Sequence, residues 1–114
     1  MTSSPSTPAA SLSPASAAEC EAKNDTLYAV PGTTKSFKRF CGIDFSGVGG
    51  AVDLTHVTTS TMEECIVSCS GLANCTGCGW GIIAGDQGPD YRCWLKTDLQ
   101  TPHNQSNWSF AILQ

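Results

Sequence analysis

The chain has 114 residues, which is enough for one domain and too few for two. Only 14% of the residues are charged and the net charge is -4, so the basic stripe of a nucleic-acid-binding protein is missing. No run of about eighteen apolar residues occurs, and the sequence therefore predicts no transmembrane segment. No basic segment followed by an apolar stretch begins at Met1, so no signal peptide is predicted.

The seven cysteines are accompanied by four Asn-x-Ser/Thr sequons, which begin at Asn24, Asn74, Asn104 and Asn107. Dense cysteines, several sequons and low charge together favour the secretory pathway. We therefore expect an extracellular protein, secreted or attached to a cell surface or cell wall. The candidate N-glycosylation sites are Asn24, Asn74 and Asn104, because Asn107 falls within a predicted strand.

Residues 1–18 consist almost entirely of Ser, Thr, Pro and Ala, without a charge or an aromatic ring. Such a segment buries too little apolar surface to offset the entropy lost on ordering, so we predict that it is disordered. It is either an O-glycosylated stalk or a linker. The folded domain is predicted to cover residues 19–114.

The next part of the chain favours loops and short strands, the first at residues 36–41 and another from residue 51. Ser60 and Glu63 then fit a capping box, in which the serine caps a helix and the glutamate reaches back. The apolar positions behind them recur at helical spacing and form one stripe: Met62, Cys65, Ile66 and Cys69. Gly71 or Asn74 ends this helix, the only one that the sequence predicts.

Three further strands are predicted, at residues 76–83, 91–96 and 108–113. In the first, alternation places Cys78, Trp80 and Ile82 on one face. Gly77, Gly79 and Gly81 lie on the other face, where another group can approach the backbone closely. The expected fold class is α+β, a single helix packed across a small antiparallel sheet and stapled by disulfides.

Four cysteines lie between residues 65 and 78, and three roles compete for them. Structural zinc sites usually space their ligands as two short pairs separated by a longer loop, which this segment lacks. A redox Cys-x-x-Cys places its first thiol at a helix N-terminus, whereas Cys75 and Cys78 precede a glycine-rich strand. Disulfide stapling is therefore favoured over zinc binding, and thiol–disulfide exchange is a distant third.

Cys65 and Cys69 cannot bridge each other easily, because Cβ atoms one turn apart are about 5–6 Å apart and a disulfide needs about 3.8 Å. Each must reach a separate partner. Cys93 is in reach of Cys65, and either Cys75 or Cys78 is in reach of Cys69. The first two cysteines of the chain, Cys20 and Cys41, remain to tie the N-terminal segment to the first strand. We expect Cys78 to be the free thiol, because it shares an apolar face with Trp80 and Ile82.

Three segments resemble a PAN/Apple domain of the short type found in fungal secreted or cell-surface proteins: residues 60–69, 74–80 and 92–96. They match the family's helix with two cysteines, its cysteine that opens a strand and its cysteine-aromatic-leucine-lysine strand. The resemblance covers about residues 20–113 and implies the pairs Cys65–Cys93 and Cys69–Cys75. Many Apple domains also bridge their first and last cysteines, but no cysteine follows Cys93 here, which leaves Cys20–Cys41 as an inference.

The resemblance implies a non-catalytic module that binds a glycan or an extracellular protein, without a cofactor. His56 and His103 are isolated in the sequence, so no catalytic arrangement is predicted. Turn chemistry explains Asp86 and Asp90 without acid–base or calcium chemistry. The alternative class is a structural, disulfide-rich cap on a glycosylated stalk.

The candidate ligand-binding residues are Arg92, Trp94 and Lys96, which share the face of their strand opposite Tyr91, Cys93 and Leu95. An indole between two cations can stack on a sugar ring or anchor a protein partner. Alternatively, the basic stems pack over Trp94, or another segment covers it. Trp80 and Trp108 are predicted to be core residues.

Overall fold

A single antiparallel sheet and two short helices make up the part of the chain that the computed structural model describes, residues 17–81 and 91–114. The six strands are β1 (Thr26–Ala29), β2 (Ser36–Asp44), β3 (Val52–Thr59), β4 (Gly77–Gly81), β5 (Tyr91–Thr97) and β6 (His103–Leu113). Their order in the sheet is β1-β2-β6-β4-β5-β3, with every neighbouring pair antiparallel. The predicted stalk up to residue 16, together with Ile82, Asp86 and Asp90, lies outside the described residues.

The predicted helix is α2 (Met62–Ser70), and its apolar stripe is buried as expected. Its N-cap is Thr61, whose Oγ1 accepts the N–H of Glu64 at 3.1 Å. The prediction of Ser60 and Glu63 as the capping pair is therefore wrong by one residue. Two adjacent hydroxyls precede two adjacent glutamates, so the pattern fits two registers. The register adopted lets Glu64 accept the backbone N–H of Ser60 and leaves Glu63 to pair elsewhere.

A second helix, α1 (Ala17–Ala22), was not predicted, because its six residues straddle the change in composition at residue 19. It lies against β2 and β6, whereas α2 packs against β3, β4 and β5. The sheet, one helix across it and the disulfides confirm the predicted α+β class in outline.

The main core lies between α2 and the sheet. Trp80 in β4 is almost completely buried, and its Nε1–H donates a hydrogen bond to the carbonyl of Thr59 at 3.0 Å. The ring of Tyr91 contacts that of Trp80 edge-on, with centroids 5.6 Å apart. Phe37 and Ile66 complete this core without any exposed surface. Strand β4 is central, and both of its faces are buried.

Three disulfides join the helices and loops to the sheet: Cys20–Cys41, Cys65–Cys93 and Cys69–Cys75. The first joins α1 to β2, the second joins α2 to β5, and the third closes the loop between α2 and β4. The two cysteines of α2 therefore have separate partners. Cys69 is bonded to Cys75, which leaves Cys78 as the free thiol among the described residues.

Candidate functional site

The two faces of β4 carry very different side chains. Cys78 and Trp80 point towards α2, so Gly77 and Gly79 lie on the opposite face of the sheet. A Cβ atom on Gly79 would lie only 2.6 Å from Nε1 of Trp108 and 3.2 Å from Oδ1 of Asp44. The close approach predicted over these glycines is therefore present: the indole of Trp108 approaches Gly79, and the side chains of Leu99 and Phe110 approach Gly77.

A cavity of about 280 Å³ lies on this face. Its lining comes from β2 and the loop after it, and from β3, β5 and β6: Asp44, Ser46, Asp53, Trp94, Lys96, Gln105 and Trp108. Two of the three candidate ligand-binding residues, Trp94 and Lys96, thus contribute to one cavity. We call it the glycine-face cavity.

Lys96 is a buried cation within the wall of this cavity. Its side chain is 4% exposed, and its Nζ lies 3.0 Å from Oδ1 of Asp53 and 3.9 Å from Oδ1 of Asp44. A buried ammonium group is costly unless it is paired, so these two carboxylates explain how Lys96 is accommodated. Nε2 of His103 lies 4.0 Å from the other oxygen of Asp44. With His103 neutral, the cluster carries one net negative charge.

Arg92, Trp94 and Lys96 do not form one exposed surface. Arg92 is exposed and Trp94 is half-buried, but Lys96 is buried. Trp94 therefore has one exposed cation beside it rather than two. The carboxylates of Asp44 and Asp53 lie over this face and form ion pairs with the buried Lys96. The ring of His56 on β3 lies 4.6 Å from that of Trp94, so a neighbouring strand covers part of the indole.

Two buried polar atoms in the cavity wall have no hydrogen-bond partner among the described residues, namely Oδ1 of Asp44 and Nε1 of Trp108. The two residues are only 8% and 5% exposed. Both atoms lie against the backbone of Gly79. Buried polar groups nearly always have partners, and an ordered water molecule, an ion or local strain accounts for most that lack one within the protein.

Most of the cavity residues were not predicted from the sequence. Asp44 and Asp53 are distant along the chain from Lys96, and only the pairing of β2 with β6 and of β3 with β5 brings them close. Trp108 was expected to be a core residue, and it is buried, with an N–H that has no hydrogen-bond partner among the described residues. The one useful signal in the sequence was the alternation of glycines in β4. It identifies the face of the sheet that other groups approach, but not which residues lie there.

A second, smaller cavity of about 100 Å³ lies between α1, β2 and α2. Oε2 of Glu63 there accepts from Nζ of Lys23 at 3.0 Å and from Nη1 of Arg39 at 2.8 Å. Burial alone would raise the pKa of Glu63. The hydrogen bond and positive charge of Lys23, together with the hydrogen bond from Arg39, have a larger effect and hold the pKa below its usual range. Arg39 also donates to Oγ1 of Thr26. These charges pair with one another, so the network is structural.

The free thiol of Cys78 is completely buried in the core, and burial raises its pKa strongly. A thiol that stays protonated is a poor nucleophile. Its nearest neighbour in the Cys-x-x-Cys pattern, Cys75, is bonded to Cys69. The pair is therefore not arranged as a dithiol for exchange.

The candidate glycosylation residues Asn24, Asn74 and Asn104 are all exposed. Oδ1 of Asn24 accepts the backbone N–H of Cys41 at 2.9 Å. Asn74 follows α2 with a φ of 71°, and Asn104 lies on β6 opposite Ile43. Each side chain is thus accessible from solvent, as attachment of a glycan requires.

Within residues 17–81 and 91–114, no three His, Cys, Asp or Glu side chains are grouped in a way that suits a metal ion. No described helix has the length and apolar character needed to cross a bilayer. No family model matches the chain, and no curated protein matches it either. The resemblance to PAN/Apple domains therefore rests on the sequence motifs alone.

Proposed function

We propose that residues 19–114 form a non-catalytic extracellular binding module, similar to a PAN/Apple domain, that recognises a carbohydrate or a protein partner. The three disulfides and the three exposed sequon asparagines support an extracellular location, because both features belong to the secretory pathway. The domain is expected to be secreted or associated with a cell surface or cell wall.

The observation that carries the binding function is the glycine-face cavity. Binding sites are typically concave, with apolar or aromatic walls and a few polar groups that fix the orientation of the ligand. The cavity combines the half-buried ring of Trp94 with the polar side chains of Ser46, Asp53 and Gln105. The carboxylate of Asp53 stands at its rim, half exposed.

A carbohydrate fits this arrangement better than a flat protein surface does. Protein partners usually engage extended surfaces with a central aromatic or arginine anchor. Here the aromatic group and several polar side chains line a cavity, and only one of the two cations predicted beside Trp94 is exposed, because Lys96 is buried. A sugar ring supplies both an apolar face for Trp94 and hydroxyls for the polar atoms.

The proposal is tested with a glycan array and a pull-down on cell-wall polysaccharides. The parent protein is expected to retain specific glycans, and Trp94→Ala to lose them. Tyr28→Ala serves as the matched control, since Tyr28 is also a half-buried aromatic residue but lies on β1 at the opposite edge of the sheet. Circular dichroism establishes that each variant is folded. If the parent protein retained no glycan, or if both variants lost binding equally, a carbohydrate site at this cavity would be ruled out.

The alternative function is a structural cap on an O-glycosylated stalk. It is favoured by the contact between Trp94 and His56 and by the pairing of Lys96 with two carboxylates, because both place potential recognition groups in internal interactions. This alternative predicts no ligand in either assay. It also predicts that removal of the stalk leaves the stability of residues 19–114 unchanged in a thermal melt.

A further inference from the structure

Strand β3 lies at one edge of the sheet, and among the described residues its only strand partner is β5. Its other side therefore presents a row of backbone N–H and C=O groups without a neighbouring strand in the described part of the chain. Residues 52–58 are all exposed. They include three large apolar side chains, those of Val52, Leu54 and Val57, which are 50%, 37% and 37% exposed. An edge of this kind is a template for pairing with another strand.

The two edges of the sheet differ in the features that prevent such pairing. Natural edge strands are often very short, charged, bulged or interrupted by proline. Strand β1, at the opposite edge, has only four residues. In β3, the irregularity in pairing lies between Asp53 and Thr55, and Asp53 is the only Asp, Glu, Lys or Arg of the strand. Residues 55–59 contain no such charge, no glycine and no proline, so a segment about 17 Å long is unprotected. We call this segment the open edge.

A second copy of the open edge is the occupant that the sequence favours. The N-terminal segment of the chain carries Pro5, Pro8 and Pro14, and proline cannot donate a hydrogen bond to a neighbouring strand. The open edge has a backbone donor at every position and consists mostly of threonine and valine, which are frequent in strands. With His56 neutral it carries no charge. Two copies therefore meet there without like-charge repulsion, although each chain has a net charge of -4.

Side-chain direction and symmetry limit how two copies can pair. A two-fold dimer uses the same surface on both chains, so one residue of the strand lies opposite its own copy. A register centred on Val57 brings the two Val57 side chains together. It also places His56 opposite Thr58, and Thr55 opposite Thr59. A register centred on His56 would instead place two imidazoles opposite each other, which repel when protonated.

We infer that two copies of this chain associate through β3 in an antiparallel, two-fold pair centred on Val57, which joins the two six-stranded sheets into one. The two-fold axis is perpendicular to the sheet, so both glycine-face cavities open on the same side. Each cavity is lined by residues of β3 and β5, the two strands nearest this edge. A ligand with repeated units can then engage both cavities, which raises its avidity. The dimer itself does not depend on the proposed binding function.

The first test is sedimentation velocity of the full chain at concentrations from about 10 μM to about 1 mM. Two short paired strands form a small interface, so we expect a weak dimer that increases with concentration. Val57→Lys places two ammonium groups opposite each other and should raise the dissociation constant at least tenfold. Leu27→Lys is the matched control, since Leu27 is 63% exposed on the opposite edge and its replacement should leave the dimer unchanged. Circular dichroism establishes that both variants are folded.

A cysteine at the two-fold axis tests the register independently of the charge variant. Directly opposed residues of antiparallel strands have Cα atoms about 4.5–5.5 Å apart, which is within the range of a disulfide. Val57→Cys should therefore link two chains under mild oxidation, whereas Leu27→Cys should not. Peptide mass spectrometry identifies the two linked positions. This measurement still decides the question when Val57→Lys fails to fold.

The remaining outcomes would each overturn the inference. A monomer over the whole concentration range would show that the open edge does not pair with itself. A dimer that persists in Val57→Lys, or that is lost in Leu27→Lys, would place the interface elsewhere. A dimer in which Val57→Cys forms no link would show that another segment, such as the proline-containing N-terminal one, occupies this edge.

Discussion

Replacement of the buried Lys96 by methionine tests whether burial or distance determines how much an ion pair contributes to the free energy of unfolding. Lys96 Nζ lies 3.9 Å from Asp44, and at an effective dielectric constant of about 20 two unit charges at that distance attract by about 4 kcal/mol. Desolvation of Lys96 offsets part of this attraction, and the half-exposed Asp53 contributes less. We expect Lys96→Met to lower the free energy of unfolding by about 2–3 kcal/mol, because it leaves Asp44 buried without a cation.

The matched control is Lys38→Met. Lys38 lies 2.9 Å from Asp25, closer than Lys96 is to either of its partners, but its side chain is 38% exposed and that of Asp25 is 66% exposed. Exposed pairs are usually worth less than about 1 kcal/mol, so we expect a loss below about 0.5 kcal/mol. Distance alone would predict the opposite order.

The assay is urea denaturation with the disulfides intact, analysed by linear extrapolation. The double variant Lys96→Met with Asp44→Asn should recover part of the stability lost in Lys96→Met, since no unpaired charge is then buried. An equal loss for Lys96→Met and Lys38→Met, or no recovery in the double variant, would refute the assignment of Lys96 as a buried, paired cation.

Four further predictions address the helix cap, the ion-pair network, the free thiol and the glycine face. Thr61→Ala should destabilise the domain by about 1 kcal/mol in urea denaturation, whereas Ser60→Ala should cost clearly less; equal losses would contradict Thr61 as the N-cap. Glu63→Gln should lose stability at neutral pH because the pKa of Glu63 is lowered by its partners. That stability is present above the ordinary pKa of a glutamate and disappears as the pH falls through the lowered value, so the unfolding curves of parent and variant should merge in acid. Cys78 should resist alkylation in the folded protein and take up one label per chain when unfolded without reductant, as measured by intact mass; rapid labelling of the folded protein would contradict its burial. Gly79→Ala should cost about 1–3 kcal/mol, since the new methyl group must displace the indole above it, and a thermal melt identical to that of the parent would show that the indole lies elsewhere.

The elements that could be predicted from the sequence are those governed by local patterns. The apolar stripe from Met62 to Cys69 fixed α2, because helical periodicity depends only on nearby residues. Alternation identified β4 and β5 and assigned the sides of Cys78 and Trp80. Strand β1 was missed, because its four residues carry little alternation and are held by pairing with β2.

The site was predictable only in part, for a different reason. The alternation of β5 correctly placed Trp94 and Lys96 on one face, but whether that face is exposed depends on segments far away in the chain. The loop after Asp44 and the strand that contains Asp53 cover it. Their arrangement follows from the order of strands in the sheet, which local patterns do not encode.

The bond between Cys20 and Cys41 has a mechanical consequence. A pulling force that enters through the N-terminal segment passes at Cys20 directly into β2, so the chain between the two cysteines carries no load. At the other end, Leu113 on β6 lies opposite Phe37, at the far end of the paired stretch from Cys41. Tension between the chain ends therefore shears β2 along β6 and loads their hydrogen bonds in parallel rather than one at a time.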